Sequence, residues 1–379
     1  MRIGIDIRAL GERRTGIGRY IVRLLDSLSE IDNVNEYILF YNALKGKPPN
    51  LELKAENFRT IRTRIPNRFL HGAWSNGSFP AIELLTGRLD IFHGPNFQMP
   101  PTRNAGSVLT IHDLVFLIYP EMASPESVRD FGPKIRYYAE RADIVVADSK
   151  ATARDIGEYL KIAESKIVTI YPGTTMLVKA GENDIRAARR KYNIGDAYIL
   201  FVGTIEPRKN IARLLAAFEE SGLADDYELV MAGPIGWRTG SIFSGLESLK
   251  CKRRVKWLKY VEDSDLSALY AGAAFLAYPS LLEGFGLPIL EAMSAGCPVL
   301  TSNLSSMPEI GGEAALYVDP LDIESIACGM KRLAGDVVLR ADLARRGYNK
   351  TKEFTWQKTA RGMLEIYGRA HEMKRSRKH

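Results

Sequence analysis

The chain of 379 residues is too long for one small core and suits two domains of about 150–200 residues each. Hydrophobic residues make up 46% and charged residues 26% of the sequence, so a disordered chain is excluded as the default interpretation. The 52 basic and 45 acidic residues give a net charge of +7. This positive charge favours binding of anionic small molecules or of an anionic membrane surface. It is only weak evidence for nucleic-acid binding.

The three cysteines are an odd number without CxxC or CxxH spacing, which disfavours a disulfide framework or a structural zinc site. We therefore expect reduced thiols and a cytoplasmic location. Met1–Asp6 leads directly into a predicted strand, so we expect no signal peptide. The most apolar stretch, Leu266–Leu282, is interrupted by Gly272 and Pro279 and is shorter than the ~20 apolar residues of a membrane span.

Short apolar strands alternate with amphipathic helical segments along most of the chain. In the first half the predicted strands are Arg2–Ile7, Tyr37–Tyr41, Phe58–Arg62, Asp90–His93, Ser107–Ile111, Ile144–Ala147 and Lys166–Ile170. In the second half they are Tyr198–Val202, Glu228–Ala232, Arg254–Leu258, Ala274–Tyr278, Pro298–Thr301 and Ala315–Val318. Several are apolar on both faces, as expected when helices cover both sides of a parallel sheet. The alternation predicts the α/β class.

The strand and helix pattern restarts near Tyr198, after turn residues at Tyr171–Thr175 and a polar stretch at Gly181–Asp184. We therefore place an N-terminal Rossmann-like domain at residues 1–172 and a C-terminal one at 183–356. No strand remains after Phe354 for further helices to cover. We expect the last helix, at about 357–379, to complete the N-terminal domain.

A glycine-rich loop follows the first predicted strand and precedes a helix. It contains Gly11, Thr15, Gly16 and Gly18, and its backbone N–H groups could approach phosphate oxygens. The pattern is short, and a tight turn from strand to helix explains it equally well. No acidic residue ends the second strand, which disfavours a simple NAD-dependent enzyme.

Two adjacent cations follow the first strand of the second predicted domain. Gly203 and Thr204 begin the turn, and Arg208 and Lys209 stand near the carboxyl end of the strand, where open α/β sheets bind ligands. A guanidinium beside an ammonium suits a diphosphate. A solvated surface turn is the alternative interpretation.

The most informative stretch runs from Leu282 to Gly296. Glu283 precedes a predicted helix and Glu291 lies in its first turns, so two carboxylates could bind the hydroxyls of a sugar and a ribose. The first N–H groups of a helix lack internal partners and would face an anion. Here they belong to Phe285, Gly286 and Leu287. In the alternative interpretation, Glu283 is a surface residue and Glu291 is an acid of the first turns that interacts favourably with the helix dipole.

Other polar residues indicate structure rather than chemistry. Ser306 and Glu309 have the spacing of a capping box. His71, His93 and His371 show no partner at metal-ligand spacing, so we expect no metal site.

The spacing of Glu283 and Glu291 within EGFGLPILEAMSAGCPV resembles the signature of the retaining glycosyltransferases of GT-B family 4, which include mannosyl- and glucosyltransferases. The similarity extends through GIGRY, TIHD, ADSKAT, GTIEPRKN, LYAGA and TSNLSSMPEIGGEAALYVDP, and so covers nearly the whole chain. It implies two Rossmann-like domains that face each other across a donor-binding cleft. It also implies transfer of a hexose from a nucleotide-diphosphate donor. We expect no metal or other cofactor.

The resemblance also implies roles for single residues. Glu283 would contact the donor sugar, Glu291 the ribose, and Arg208 with Lys209 the diphosphate. The implied donor-binding residues are Gly16, Gly18, Gly203, Thr204, Arg208, Lys209, Val261, Phe285, Gly286, Leu287 and Glu291. The implied catalytic residues are Glu283, His112, Arg208 and Lys209.

The residues alone do not determine the role of His112 or the contact that the segment around Lys259 makes with the nucleobase. His112 ends a strand and would contact the donor sugar, although an isolated histidine there is more often structural. Lys259 stands before Tyr260 and Val261, where the family usually has glycine beside the nucleobase. This departure leaves the base of the donor undetermined.

We expect a hexosyltransferase that acts on a glycan or lipid-linked acceptor in the synthesis of a surface polysaccharide. GDP-mannose, as a donor of mannose, is the first candidate, and a UDP-hexose is the second. Retention by front-face attack is favoured, since no motif supplies a carboxylate nucleophile. A nucleotide-sugar epimerase or a phosphorylase on the same fold, or a donor-binding protein without catalysis, is the alternative.

The segment from Lys45 to Arg68 carries seven basic residues against two acidic ones. With Phe69, Leu70 and Trp74 nearby, it predicts peripheral contact with the inner face of an anionic membrane. A solvated basic face explains the charges almost as well.

Overall fold

The computed structural model of the protein describes residues 1–10, 16–76, 79–177 and 180–377. The chain forms two compact units. The first comprises Met1–Ile118, Glu126–Gly173 and Thr355–His379, and the second comprises Tyr119–Pro125 and Thr174–Phe354. Sequence patterns place Tyr119–Pro125 in the first domain, whereas the structure groups it with the second unit. There the Trp237 indole donates a hydrogen bond to the Met122 carbonyl at 2.8 Å.

A seven-stranded parallel sheet forms the centre of the first unit, in the order β3-β2-β1-β4-β5-β6-β7. Its strands are β1 (Arg2–Asp6), β2 (Glu36–Asn42), β3 (Phe58–Thr63), β4 (Ile91–Gly94), β5 (Gly106–Ile111), β6 (Ile144–Ala147) and β7 (Ile167–Thr169). The helices between them are α1 (Gly16–Ile31), α2 (Asn67–Asn76), α3 (Glu83–Thr86), α4 (Val115–Ile118), α5 (Pro125–Asp130), α6 (Ile135–Arg141) and α7 (Lys150–Leu160). The strand order reverses beside β1, which is where open α/β sheets form ligand crevices.

The second unit is built on a six-stranded parallel sheet in the order β10-β9-β8-β11-β12-β13. Its strands are β8 (Tyr198–Val202), β9 (Glu228–Ala232), β10 (Val255–Trp257), β11 (Phe275–Tyr278), β12 (Val299–Ser302) and β13 (Leu316–Val318). Its helices are α8 (Glu182–Tyr192), α9 (Ile211–Glu220), α10 (Gly240–Ser248), α11 (Asp263–Gly272), α12 (Leu287–Ser294), α13 (Met307–Gly311), α14 (Ile323–Gly335) and α15 (Val337–Thr351).

Each predicted strand overlaps one observed strand in the described part of the chain, and the α/β class is confirmed. The central strands are buried on both faces: every residue of β5 and of β9 is buried. Their continuous apolar runs are therefore a consequence of helices covering both sides of each sheet.

The last helix, α16 (Trp356–Ser376), packs into the core of the first unit. Six of its buried side chains belong to that core: Trp356, Ala360, Met363, Ile366, Tyr367 and Ala370. The Tyr367 hydroxyl also pairs with Nδ1 of buried His93 at 2.9 Å, and Nε2 of His93 pairs with the Thr110 hydroxyl at 2.8 Å. Burial, helped by nearby His112, lowers the pKa of His93 to about 3, so this ring is neutral.

None of the described helices combines the length and the apolar character that crossing a bilayer requires.

Candidate active site

A buried carboxylate and two cations form the polar centre of the second unit. Glu283 lies in the loop after β11, while Arg208 and Lys209 occupy a 3₁₀ turn, Pro207–Lys209, after β8. Because β8 and β11 are parallel neighbours, their carboxyl ends bring the three side chains together. Glu283 Oε1 accepts hydrogen bonds from Lys209 Nζ at 2.5 Å and from the Tyr278 hydroxyl at 2.7 Å. Its Oε2 accepts from Arg208 at 2.7 Å.

This cluster is nearly closed to solvent and its charges balance. Glu283 is 6% exposed, and Glu206, which is 1% exposed, meets Arg208 Nε at 2.6 Å. Two cations therefore face two carboxylates, as buried charges require. Burial alone would raise the pKa of Glu283, but the charges of Arg208 and Lys209 outweigh it and lower the pKa to about 2. Glu283 is thus an anion at neutral pH.

Two serines fix the backbone of the loop that carries Glu283. The Ser305 hydroxyl donates to the Glu283 carbonyl at 2.8 Å and accepts from its N–H at 3.2 Å. The Ser306 hydroxyl lies 3.0 Å from the Glu283 carbonyl and 2.8 Å from that of Phe285, and donates toward both. The predicted capping box of Ser306 and Glu309 is wrong: Ser306 makes no side-chain cap at α13 because its hydroxyl binds this loop.

Helix α12 starts directly after the loop. Gly286 precedes it with φ = 105°, a left-handed conformation that favours glycine, and Leu287 is its first residue. The first-turn N–H groups of a helix form a ready anion site with the helix dipole behind them. The Phe285 ring packs edge-on against Phe354 and is buried in the second unit. Glu291 lies further along α12, half-buried, and accepts a hydrogen bond from the Tyr270 hydroxyl at 3.0 Å.

Two glycines bring the ends of β8 and β9 close together. Gly203 and Gly233 have φ of 155° and 149°, and a Cβ on Gly233 would lie 1.9 Å from the Gly203 carbonyl oxygen. No side chain fits at Gly233, so the backbone of the two strand ends is in close contact beside Thr204. Gly233 is missing from the residues predicted for the site, although an Ala-Gly-Pro sequence directly after a strand was a usable signal.

The segment after β10 lies beside this glycine pair. The Gly233 N–H donates to the carbonyl of Lys259 at 2.7 Å, and Lys259 has φ = 59°. That left-handed conformation explains why glycine suits this position, and lysine occupies it under strain. Val261 is 7% exposed, whereas Tyr260 is 62% exposed. The Val261 side chain therefore packs inward.

His112 belongs to the first unit and follows β5. Its Nδ1 lies 2.6 Å from an Asp148 carboxylate oxygen and its Nε2 lies 2.8 Å from the Pro95 carbonyl. Both partners are acceptors, so an imidazolium satisfies both at once. Burial alone would lower the pKa of His112, but the Asp148 charge outweighs it and raises the pKa. A direct bond from His112 to a ligand requires one of these partners to be released. Asp148 lies within the ADSKAT motif but is missing from the predicted site.

The glycines of the first loop are only partly described. Gly16 and Gly18 open helix α1, while Gly11 and Thr15 lie outside the described residues. A Cβ on Gly16 would meet no described atom within 4 Å, so packing does not require glycine there. Tyr20, one turn into α1, packs its ring edge-on against His112 at 5.0 Å.

The basic segment of the first unit differs from the prediction in its apolar residues. Phe69 is 61% exposed, but Leu70 and Trp74 are buried in the core. The Trp74 ring lies 4.9 Å from the Arg8 guanidinium, which covers it. Leu44, 57% exposed, is an exposed apolar neighbour that the sequence patterns did not identify.

Comparison with known proteins identifies the family. Residues 14–175 match Glycosyltransferase Family 4 and residues 184–350 match Glycosyl transferases group 1. The O-antigen chain mannosyltransferase B of Escherichia coli is 30% identical over 373 residues, covering 93% of this chain and 96% of that protein. The chain belongs to the family 4 glycosyltransferases.

Two further proteins resemble this glycosyltransferase. The O-antigen chain mannosyltransferase RfbU of Salmonella typhimurium is 25% identical over 338 residues, covering 87% of this chain and 90% of the relative. The Anabaena protein HepE, solved in complex with UDP-glucose, superposes with a TM-score of 0.75 at 16% identity, over 97% of this chain and 99% of HepE. The fold is therefore GT-B, with two Rossmann-like units.

The structure brings Glu283, Arg208 and Lys209 of this glycosyltransferase into one cluster. Gly203, Thr204 and the start of α12 also follow strands of the same sheet at their carboxyl ends. Glu291 has a separate partner, Tyr270, and His112 lies in the other unit. Within the described residues, no group of three His, Cys, Asp or Glu side chains could hold a metal ion.

Proposed function

We propose that this glycosyltransferase moves mannose from GDP-mannose, with retention of configuration, to a glycan or lipid-linked acceptor of a surface polysaccharide. The names of two relatives, both O-antigen chain mannosyltransferases, support this proposal. A UDP-hexose is the second candidate donor, since HepE was solved with UDP-glucose.

The observation that carries the proposal is the buried cluster of Glu206, Arg208, Lys209 and Glu283. When the bond from the anomeric carbon to the β-phosphate breaks, negative charge develops on the phosphate oxygen. Arg208, Lys209 and the first-turn amides of α12 stabilise this charge, and the two carboxylates hold the cations in place before the donor binds. We infer that the reaction needs no metal, and we expect turnover to be unchanged after EDTA treatment.

Front-face attack accounts best for retention. Double displacement needs a free carboxylate close to the anomeric carbon. Both oxygens of Glu283 are already engaged by cations and by Tyr278, which makes it a poor nucleophile. The acceptor oxygen would instead bond to the anomeric carbon on the face from which the phosphate departs. The departing phosphate oxygen would take the acceptor proton.

The two glutamates test the assignment. If Glu291 binds the ribose equally in the ground and transition states, Glu291→Gln should chiefly weaken donor binding. If Glu283 acts on the sugar and orders the cations as charge develops, Glu283→Gln should lower turnover more than donor affinity. Loss of one charge-assisted hydrogen bond costs ~1.5–3 kcal/mol, or about 10- to 150-fold.

Calorimetry with a panel of nucleotide sugars would give the donor affinities, and product formation would give turnover. The anomeric proton signal of the product in NMR would report retention or inversion. Full turnover by Glu283→Gln with any donor that binds would show that the proposed site is wrong.

We also propose that the first unit contacts an anionic membrane through a basic patch, formed by Leu44, Lys45, Lys47, Arg64 and Phe69. The Ala43 N–H donates to the Thr63 carbonyl at 3.2 Å, so the chain segments after β2 and β3 lie side by side. All five patch residues are exposed. Cations attract an anionic surface by about 1 kcal/mol each, and Leu44 with Phe69 can enter the interface.

Sedimentation with vesicles at low salt tests this contact. Wild type should bind anionic vesicles in preference to neutral ones, and Lys45→Gln/Lys47→Gln/Arg64→Gln should lose most of that binding. Equal partitioning of wild type onto both kinds of vesicle would refute it.

A further inference from the structure

A cavity of about 560 Å³ opens on the first unit at the edge of the sheet opposite His112. It lies where β1, β4 and β5 begin, and the last turns of α16 form one wall. Its polar lining consists of Arg88, Asp90, Asn104, His371, Lys374 and Arg375. No residue of the candidate active site contributes to this cavity.

Three cations of the lining have no counter-ion among the described residues. In the part of the chain that the structure describes, the side chains of Arg88, Lys374 and Arg375 form no hydrogen bond or ion pair. By contrast, Arg377, two residues further on, pairs with Asp143 at 2.5 Å. The one acid of the cavity, Asp90, uses one carboxylate oxygen to accept the Arg2 N–H at 2.8 Å. The lining therefore keeps a net positive charge.

The helix dipole explains only part of this arrangement. Lys374 and Arg375 lie in the last turn of α16, where cations are favourable in any case. Arg88 lies in the segment before β4 and gains nothing from that dipole. Three cations that converge on one cavity repel each other and raise the local concentration of anions. The volume is within the range of about 300–1,000 Å³ that is usual for small-molecule sites.

Contacts within the first unit hold the backbone of both walls of the cavity. A Cβ on Gly106 would lie 2.6 Å from the Ala370 carbonyl oxygen, so α16 rests on the backbone of β5 next to the cationic turn. On the other side, Glu83 accepts three backbone N–H groups, from Arg103, Asn104 and Ala105, at 2.8–3.0 Å. This preorganisation reduces the ordering cost of binding.

We propose that this cavity is a second anion site that takes an organic phosphate. Arg88, Lys374 and Arg375 hold the phosphoryl oxygens, and the free carboxylate oxygen of Asp90 accepts a hydroxyl of the same ligand. The phosphate could come from a soluble metabolite or from a lipid headgroup, and the experiment distinguishes these sources.

The test compares two triple variants that lose the same charge. The cavity variant is Arg88→Gln/Lys374→Gln/Arg375→Gln. The control variant, Lys358→Gln/Arg361→Gln/Arg369→Gln, removes three exposed cations of α16 outside the cavity lining. Calorimetric titration with pyrophosphate at low salt should show, in wild type and control, a binding event beyond the one that all three proteins share at Arg208 and Lys209. This additional event should be at least about tenfold weaker in the cavity variant. Arg208 and Lys209 are intact in both variants, so the difference between them isolates the cavity.

Equal pyrophosphate affinity of the cavity and control variants would overturn the proposal, as would binding by neither wild type nor control. Titration of wild type with glycerol 3-phosphate and with monomeric dihexanoyl phosphatidic acid assigns the source. Tighter binding of the lipid indicates a headgroup, and equal or weaker binding indicates a soluble phosphate. Either result supports the site only if the cavity variant loses that binding.

Discussion

Removal of the charge of Glu283 should destabilise the second unit as well as impair turnover. The pKa of this buried glutamate is about 2, roughly 2.5 below its ordinary value of 4.5. At about 1.36 kcal/mol per pKa unit, the folded surroundings of Glu283 favour its charged form by about 3 kcal/mol, which is the net of the burial penalty and the larger attraction of Arg208 and Lys209. The glutamine of Glu283→Gln has the shape of a protonated glutamate but no charge, so the variant loses this stabilisation of the charged form. It also leaves buried Lys209 with an uncharged partner, so we expect a loss of at least about 3 kcal/mol.

The effect should depend on pH in a defined direction. Because the pKa of Glu283 is lowered in the folded state, its stabilising contribution is present above pH 4.5 and is lost as the pH falls toward 2. The difference between wild type and Glu283→Gln should therefore be largest at neutral pH and smaller at pH 3.5.

Urea unfolding followed by tryptophan fluorescence would measure both effects. Urea is preferable to guanidinium chloride because it does not screen ion pairs, and Trp237 and Trp257 report on the second unit. Glu291→Gln is a matched control, because Glu291 is only half-buried and its hydrogen bond from the Tyr270 hydroxyl is worth about 1 kcal/mol. If Glu283→Gln unfolds at the same urea concentration as wild type at pH 7, or if the gap is as wide at pH 3.5, the reasoning fails.

Three further variants test other parts of the structure by the same unfolding assay. Gly233→Ala places a Cβ 1.9 Å from the Gly203 carbonyl oxygen and should lower the free energy of unfolding by at least about 3 kcal/mol. Gly222→Ala, at φ = 68° without a clash, should lower it by about 1 kcal/mol. Equal losses of stability would contradict the close approach of Gly233 and Gly203. His93→Gln should make stability less sensitive to acid. Because the pKa of His93 is lowered in the folded state, the free energy of unfolding of wild type should fall by about 1.4 kcal/mol per pH unit below pH 6.5. Parallel plots of stability against pH for wild type and variant would contradict this. Lys259→Gly should be about 0.5–1 kcal/mol more stable than Lys259→Ala, because alanine, unlike glycine, is strained at φ = 59°. An alanine variant as stable as the glycine variant would argue against strain.

The strands and the main charged cluster were predictable from the sequence for a clear physical reason. Strands buried on both faces need continuous apolar runs, and such runs are visible without a structure. Arg208 and Glu283 are far apart in sequence, but each follows a strand of one parallel sheet. The carboxyl ends of such strands meet at one edge, so their proximity could be expected.

Other parts of the site depend on packing that the sequence pattern does not encode. The spacing of Ser306 and Glu309 suggested a helix cap, yet the Ser306 hydroxyl binds the Glu283 loop. Trp74 looked like a membrane anchor, yet Arg8 covers its ring in the core. In each case a local pattern was overruled by a partner that is distant in the chain and only adjacent after folding.

The position of α16 has a consequence for the synthesis of the protein. When a ribosome has translated as far as Gly173, all seven strands of the first sheet exist, but the helix that supplies Trp356 and Tyr367 to its core does not. The roughly 180 residues of Thr174–Phe354 must come first, which at about 5–20 residues per second takes about 10–40 s. During that interval the nascent first unit exposes the apolar surface that α16 later covers, and it is open to chaperones or to aggregation. A fragment that ends before Trp356 would remain in that state permanently.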